Sequence, residues 1–201
     1  ALEARRIDTG QPLAEHMARC GADIAAVKAR QAALAPREIA AWVEVHIEQG
    51  PVLNELDLPL GIVTSINGSV RYVGEIVGMA SHAGTTPMDR RRDAAAAAAE
   101  LVLFTEKRGA SVPHLVATVG MLDVPNGSIN VVPGRCKFSL DIRATTNGVR
   151  DACAEDVRAE LARICERRGL HFKLEETMRA AAAPSAPTWQ QRWERAVEVL
   201  V

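Results

Sequence analysis

Residues 137–143 read KFSLDIR, and this short stretch decides the fold of the middle of the chain. Apolar and polar residues alternate along it, with the apolar positions at Phe138, Leu140 and Ile142. Successive side chains of a strand point to opposite faces of a sheet. The stretch therefore predicts a strand with one buried face and one open face that is solvated or functional.

Helices and strands alternate on both sides of this strand. Periodicity predicts further strands at 70–77, 115–121 and 171–175 and helices at 93–108 and 148–168. Gly169 is placed to end the second helix in the left-handed conformation. The order strand, helix, strand, strand, helix, strand is typical of a ferredoxin-like βαββαβ sandwich. We expect this α+β domain at 66–178.

The segments on either side predict parts of a second domain, at 1–65 and 179–201. Two helices are expected at 12–19 and 22–35, and a terminal helix from Trp189. The apolar run 39–47 predicts a buried strand, or the end of a helix that leads into one. We interpret the two ends as one domain that the middle interrupts, which makes the chain α/β as a whole.

Composition excludes several classes of function. The chain has 24 Lys+Arg against 25 Asp+Glu, so its charge does not indicate a nucleic acid or an anionic membrane as partner. No apolar run approaches the ~20 residues that span a bilayer, and the first residues do not resemble an export signal. The 4 cysteines lack the spacing of a metal site, so free thiols in a reducing cytoplasm are expected.

Two clusters contain histidine beside turn residues. Residues 46–51 read HIEQGP, and an imidazole at a strand end before Gly-Pro can bind a metal. A lone histidine is more often an ordinary hydrogen-bonded residue, so that alternative stays open for His46. Residues 81–88 read SHAGTTPM, followed by Arg90 and Asp93, and hold His82 at a turn. Here the alternative is helix capping by the hydroxyl groups with an incidental histidine.

A third cluster, NVVPG at 130–134, precedes the KFSLDIR strand. The amide of Asn130 and the guanidinium of Arg143 could hold a carboxylate or ureido group between them. The alternative is that Arg143 forms a solvated ion pair with Asp141 or Glu175.

Together, HIEQGP, the pattern GxAxHAGTTPMxxRxDA at 78–94, NVVPG and SLDIR resemble the amidase, hydantoinase and carbamoylase family. This family includes N-carbamoyl-L-amino-acid hydrolases, allantoate amidohydrolases and β-ureidopropionases, and it belongs to the aminoacylase-like di-metal hydrolases. The resemblance covers residues 40–180. It implies that 66–178 is a lid and dimerisation domain, inserted in a di-zinc-peptidase-like catalytic domain of which 1–65 and 179–201 are parts.

The resemblance also implies roles for five residues. His46 would be a metal ligand, and Gln49 would contact the substrate. His82, supplied by the partner subunit of a homodimer, would bind substrate and stabilise the oxyanion of the tetrahedral intermediate as a catalytic residue. Asn130 and Arg143 would bind substrate, Arg143 through the carboxylate of an amino acid.

The family mechanism uses two divalent ions per complete subunit, Zn, Mn, Co or Ni. They activate a water that attacks the carbamoyl carbon while a glutamate transfers the proton, and carbon dioxide, ammonia and the amino acid are released. The resemblance thus implies a small ureido or carbamoyl substrate. Neither a nucleic acid nor a membrane is expected as partner.

The other metal ligands of the family are missing from this sequence: a His, a bridging Asp, a Glu-Glu pair and a downstream Gly-His-Asp-like segment. The Glu175-Glu176 pair lies on the last lid strand and is rejected as the catalytic pair. Catalytic metal sites need about three protein ligands. We therefore expect this chain to be the interior of an enzyme about twice as long. The chain alone is expected to bind no metal tightly. The alternatives are a dimerisation module without activity, or a related metallopeptidase or aminoacylase.

Overall fold

The computed structural model describes residues 2–31 and 34–200, which fall into two compact units that divide between Leu56 and Asp57. The first unit contains helices α1 (Leu13–Arg19), α2 (Ile24–Lys28) and α3 (Val52–Glu55), and a 3-10 turn at Pro36–Glu38. The helix predicted at 22–35 is shorter than expected, because Arg30 adopts a left-handed φ of 54° just after α2. Residues 32–33 of that prediction lie outside the described residues.

The strand predicted at 39–47 is wrong, as is its alternative of a helix end. These residues have no regular secondary structure, and Trp42, Val45 and Ile47 expose 84%, 96% and 74% of their surface. A strand needs a neighbouring strand to receive its backbone hydrogen bonds. Among residues 2–31 and 34–56 there is none.

The second unit contains the remaining elements. Its strands are β1 (Ser65–Ile66), β2 (Gly68–Val77), β3 (Ser81–His82), β4 (Leu115–Thr118), β5 (Leu122–Asp123), β6 (Val131–Val132), β7 (Arg135–Ala144), β8 (His171–Ala180) and β9 (Ala183–Pro184). Its helices are α4 (Ala94–Gly109), α5 (Asn147–Arg168) and α6 (Pro187–Leu200), with a 3-10 turn at Met88–Arg90.

The main sheet has the order β4-β7-β2-β8, all neighbours are antiparallel, and β5 also pairs with β7. Helix α4 connects β2 to β4, and α5 connects β7 to β8. This is the predicted ferredoxin-like βαββαβ fold. As expected, Gly169 ends α5 in the left-handed conformation, at φ 64°.

Strand β7 has the alternation that its sequence predicts. Phe138, Leu140 and Ile142 are buried, while Arg143 is exposed and Asp141 is half-buried. Both helices cover the buried face, with Ala94, Ala97, Ala98 and Leu101 from α4 and Cys153, Val157, Leu161 and Ile164 from α5. The other face of the sheet is open and carries the polar side chains.

The segments through which the chain enters and leaves this domain lie next to each other. Strands β1 and β9 pair, with Ser65 opposite Pro184. The buried side chain of Arg150 donates to Oδ1 of Asn147 at 3.0 Å and to the carbonyl of Ala180 at 2.5 Å. This arrangement suits a domain that is inserted into another. None of the helices within the described residues is long and apolar enough to cross a membrane.

Candidate substrate-binding site

The second and third sequence motifs form one local structure. Beyond the end of the main sheet, β3 pairs with β6 so that His82 lies opposite Val131, and the amide of Ala83 donates to the carbonyl of Asn130 at 2.9 Å. The two chains approach closely, because a Cβ added at Gly134 would lie 2.6 Å from the backbone nitrogen of Ala80. We call this paired segment the β3–β6 ribbon. It brings His82 and Asn130 together.

The ring of His82 is held in one tautomer. The amide N–H of Gly84 donates to Nδ1 of His82 at 3.0 Å, so Nδ1 acts as acceptor. In the neutral imidazole the proton then sits on Nε2. Since His82 is exposed, this Nε2–H is available to donate to a ligand.

Asn130 is oriented in a similar way. The hydroxyl of Ser128 donates to Oδ1 of Asn130 at 2.8 Å, so the carbonyl oxygen of the Asn130 amide faces Ser128. The NH₂ group of this exposed side chain is left to donate outwards. The β3–β6 ribbon therefore presents two N–H donors, which suit a carbonyl oxygen or the oxyanion formed from it.

Arg91 fixes the turn that carries His82, and sequence reasoning missed it. Its guanidinium donates to the carbonyls of Ala83 at 2.7 Å and Thr86 at 3.1 Å, and the side chain is half-buried. The sequence singled out Arg90 instead, which is exposed and pairs with Asp89. The pattern GxAxHAGTTPMxxRxDA was the available signal, because its arginine falls on Arg91.

Helix capping does occur beside this turn, but not through the hydroxyl groups as expected. The carboxylate of Asp93 accepts from the amides of Ala95 and Ala96 at 2.9 and 3.0 Å and so caps α4. Ala95 and Ala96 are at the second and third positions of the helix, where such a cap satisfies free amide groups. His82 takes no part in the cap.

Arg143 lies far from the ribbon, which corrects the expectation that it acts beside Asn130. Arg143 is near one end of β7 and Arg135 is at the other, and eight strand residues span about 26 Å. Asn130 precedes the Arg135 end. Within one chain, Asn130 and Arg143 cannot hold the same small group.

The open face of the sheet forms a trough of about 690 Å³ around Arg143. There Arg143 pairs with Asp141, one of the two acidic partners considered from the sequence, through Nε to Oδ1 at 2.9 Å and Nη2 to Oδ2 at 2.6 Å. Asp141 also accepts from Nε of Arg71 at 3.1 Å. The hydrogen bonds from Arg143 lower the pKa of Asp141, with a further contribution from Arg71.

The HIEQGP motif belongs to the first unit. Glu48 accepts from the amides of Val52 and Leu53, both at 2.9 Å, and so holds the start of α3. Gln49 adopts a left-handed φ of 56°.

The Nδ1 atom of His46 bonds to the carbonyl of Ile47, which leaves Nε2 free. A metal-binding histidine commonly donates its other ring N–H in this way.

The part of the chain that the structure describes does not form a complete metal site. Residues 2–31 and 34–200 include no group of three or more His, Cys, Asp or Glu that could hold an ion. His46 has the right free nitrogen, but one ligand is fewer than a catalytic site needs.

The fold and the ribbon define a class of protein. A family profile for the peptidase dimerisation domain matches residues 64–169, and the chain belongs to that family. Among the relatives is the N-carbamoyl-L-amino acid amidohydrolase of Geobacillus stearothermophilus, 40% identical over 200 residues, which are 100% of this chain and 48% of that protein. The allantoate amidohydrolase of Bacillus subtilis (strain 168) is 38% identical over 148 residues, 73% of this chain and 36% of that protein.

Solved structures give the same assignment. A hydantoinase/carbamoylase family amidase from Burkholderia ambifaria is 30% identical with a TM-score of 0.82, over 100% of this chain and 48% of that chain. One from Burkholderia multivorans is 36% identical with a TM-score of 0.75, over 77% of this chain and 38% of that one. The chain is thus a member of the hydantoinase/carbamoylase family of amidases, and it spans about half the length of the relatives it matches.

Proposed function

We propose that this chain is the lid-containing half of a metal-dependent amidohydrolase that hydrolyses linear C–N bonds of N-carbamoyl amino acids or of ureides such as allantoate. The observation that carries the proposal is the β3–β6 ribbon, with the N–H donors of His82 and Asn130 facing outwards. Relatives named N-carbamoyl-L-amino acid amidohydrolase and allantoate amidohydrolase support the choice of substrate class.

The active site is proposed to form between two subunits of a homodimer. His82 and Asn130 lie beyond the end of β7 that begins at Arg135, and the strand from Arg135 to Arg143 spans about 26 Å, which is too far for one small substrate. A ribbon from one subunit and an Arg143 from the other can meet at one site. The match to a dimerisation domain supports this arrangement.

In this arrangement each residue of the lid has a separate task. The Nε2–H of His82 donates to the carbonyl oxygen of the substrate, and this hydrogen bond strengthens as negative charge develops on that oxygen. The amide of Asn130 donates to the same group or to its neighbour. Arg143 holds the carboxylate of an amino acid in the trough, and this contact sets the orientation of the substrate.

The catalytic domain would supply the chemistry that the lid lacks. His46 is proposed as a metal ligand through Nε2, and Gln49 as a contact to the substrate. Two divalent ions, held mostly by residues outside this sequence, would supply the activated water in the complete enzyme. The free thiols of the described cysteines suit the reducing cytoplasm, which we propose as the location.

The test uses the complete enzyme reconstituted with Mn, Co, Ni or Zn. Ammonia release is measured with N-carbamoyl amino acids and allantoate, and release of the free amino acid is measured with N-acyl amino acids and dipeptides. We expect ammonia from at least one ureido compound, and loss of that turnover in Arg143→Ala. Cleavage of only peptides or N-acyl amino acids would instead identify a peptidase or aminoacylase.

A metal analysis tests whether this chain alone supplies enough ligands to bind an ion. The purified 201-residue chain is expected to bind no stoichiometric divalent ion, because the described residues contain no cluster of ligands. Two tightly bound ions per chain would contradict the proposed division of ligands.

A further inference from the structure

The trough contains a carboxylate that the proposed function does not use. Asp141 lies between Arg71 and Arg143, and its side chain is 30% exposed. A carboxylate beside a residue that binds an anionic substrate would ordinarily be unfavourable, because like charges repel. The way in which Asp141 contacts the guanidinium of Arg143 explains why a carboxylate can lie there.

Asp141 occupies only one edge of the Arg143 guanidinium. The two bonds run from Nε and Nη2, which form the side edge of the planar group. The end edge, between Nη1 and Nη2, is left to form a second bidentate pair with a ligand carboxylate. Asp141 and a substrate can therefore bind Arg143 at the same time.

Arg71 balances the charge of Asp141. It lies directly opposite Asp141 in the β2–β7 register, and its Nε donates to Oδ2. The pairing of β2 with β8 shifts its register just after Arg71, and there the hydroxyl of Thr177 donates to the carbonyl of Arg71 at 3.3 Å. Two guanidinium groups and one carboxylate leave one net positive charge for one incoming anion.

We propose that Asp141 is a positioning residue that holds the side edge of Arg143 so that its end edge binds the substrate carboxylate, while Arg71 neutralises Asp141. The inference rests on the proposed role of Arg143 in substrate binding. It deepens that role by assigning substrate orientation to three residues rather than one.

Kinetics of the complete enzyme provide the first test. Asp141→Asn is expected to raise KM for an N-carbamoyl amino acid about tenfold and to change kcat less than about twofold, because a fixed hydrogen-bonding partner is lost. This direction is diagnostic, since the substitution makes the trough more positive and a net-charge effect alone would lower KM. An unchanged or lower KM would overturn the proposal.

A second variant tests the part played by Arg71. Arg71→Gln leaves Asp141 unbalanced, so KM is expected to rise about threefold, and Arg71→Lys is expected to restore it partly. If Arg71→Gln leaves KM unchanged, the charge-balancing role is wrong. Glu75→Gln is the matched control, because it opens the Glu75–Arg135 ion pair on the same two strands and should alter neither KM nor kcat.

A measurement on the 201-residue chain keeps this inference separate from the proposed function. The Nε–H resonance of Arg143 is identified by its loss in Arg143→Lys and is followed by nuclear magnetic resonance. It is expected to shift and exchange faster with water in Asp141→Asn. An unchanged resonance overturns the positioning role even if the enzyme hydrolyses ureido compounds. If the resonance responds but no ureido compound is hydrolysed, Asp141 still holds the side edge of Arg143, and only the substrate assigned to the end edge is wrong.

Discussion

At the residue scale, the turn that carries His82 depends on Arg91. Three arginines follow one another at 90–92, and the family pattern marks the second of them, but the pattern does not say what its side chain contacts. The fold selects Arg91, because its guanidinium reaches the carbonyls of Ala83 and Thr86. Residue types could thus be predicted from the motif, but the direction of each side chain depends on the packed turn.

Replacement of Arg91 by Met should loosen this turn. The loss of two charge-assisted hydrogen bonds is expected to lower the free energy of unfolding by about 2 kcal/mol. In the complete enzyme kcat should fall on the order of tenfold, since small misplacements of a reacting group are costly. Urea unfolding of the chain and steady-state kinetics measure the two effects.

The neighbouring Arg90→Met is the control for this substitution. Arg90 pairs with Asp89 and both side chains are largely exposed, so stability and kcat should stay close to the wild type. Equal effects of the two substitutions would contradict the role given to Arg91.

The cysteines allow a second test at the residue scale. Cys20 is exposed, while Cys136, Cys153 and Cys165 are buried. Burial raises the pKa of each of these three thiols, that of Cys165 to about 11. With a thiol reagent at pH 8, the native chain should react rapidly at Cys20 only, and the other three should react after unfolding. Rapid reaction of Cys165 in the native chain would show that the core is packed differently.

At the element scale, the middle domain could be predicted because its signals are local. The alternation of β7, the apolar spacing of α4 and the glycine after α5 each lie within one element. The strand predicted at 115–121 is less regular: β4 ends at Thr118 and β5 begins at Leu122, with Gly120 between them. Residues 39–47 could not be predicted correctly, since an apolar run forms a strand only where another strand receives it.

Two glycines, one inside α5 and one directly after it, provide a matched pair of substitutions. Gly169 ends the helix at φ 64°, so Gly169→Ala should destabilise the chain by about 1 kcal/mol. Gly148 lies within the helix, and an added Cβ would meet nothing within 4 Å, so Gly148→Ala should stabilise it by about 0.5 kcal/mol. Thermal unfolding measures both changes. The same sign for both would contradict the assigned end of α5.

At the scale of the whole molecule, the candidate site is distributed over the middle domain. The sequence motifs predicted His82, Asn130 and Arg143 as site residues and placed Asn130 beside Arg143, but the fold separates these two within one chain. Asn130 and Arg143 are separated by only 13 positions in the sequence, yet most of β7 lies between them. That separation is what favours a site assembled from two subunits.

The most direct test of this account mixes two inactive forms of the complete enzyme, His46→Ala and His82→Ala. The two proteins are unfolded together and refolded, so that half of the dimers contain one subunit of each kind. If His82 serves the partner subunit, one site of each mixed dimer is intact, and about a quarter of the wild-type ammonia release from a ureido substrate returns. If mixed dimers form and no activity returns, His82 does not act across the dimer, and the account is contradicted.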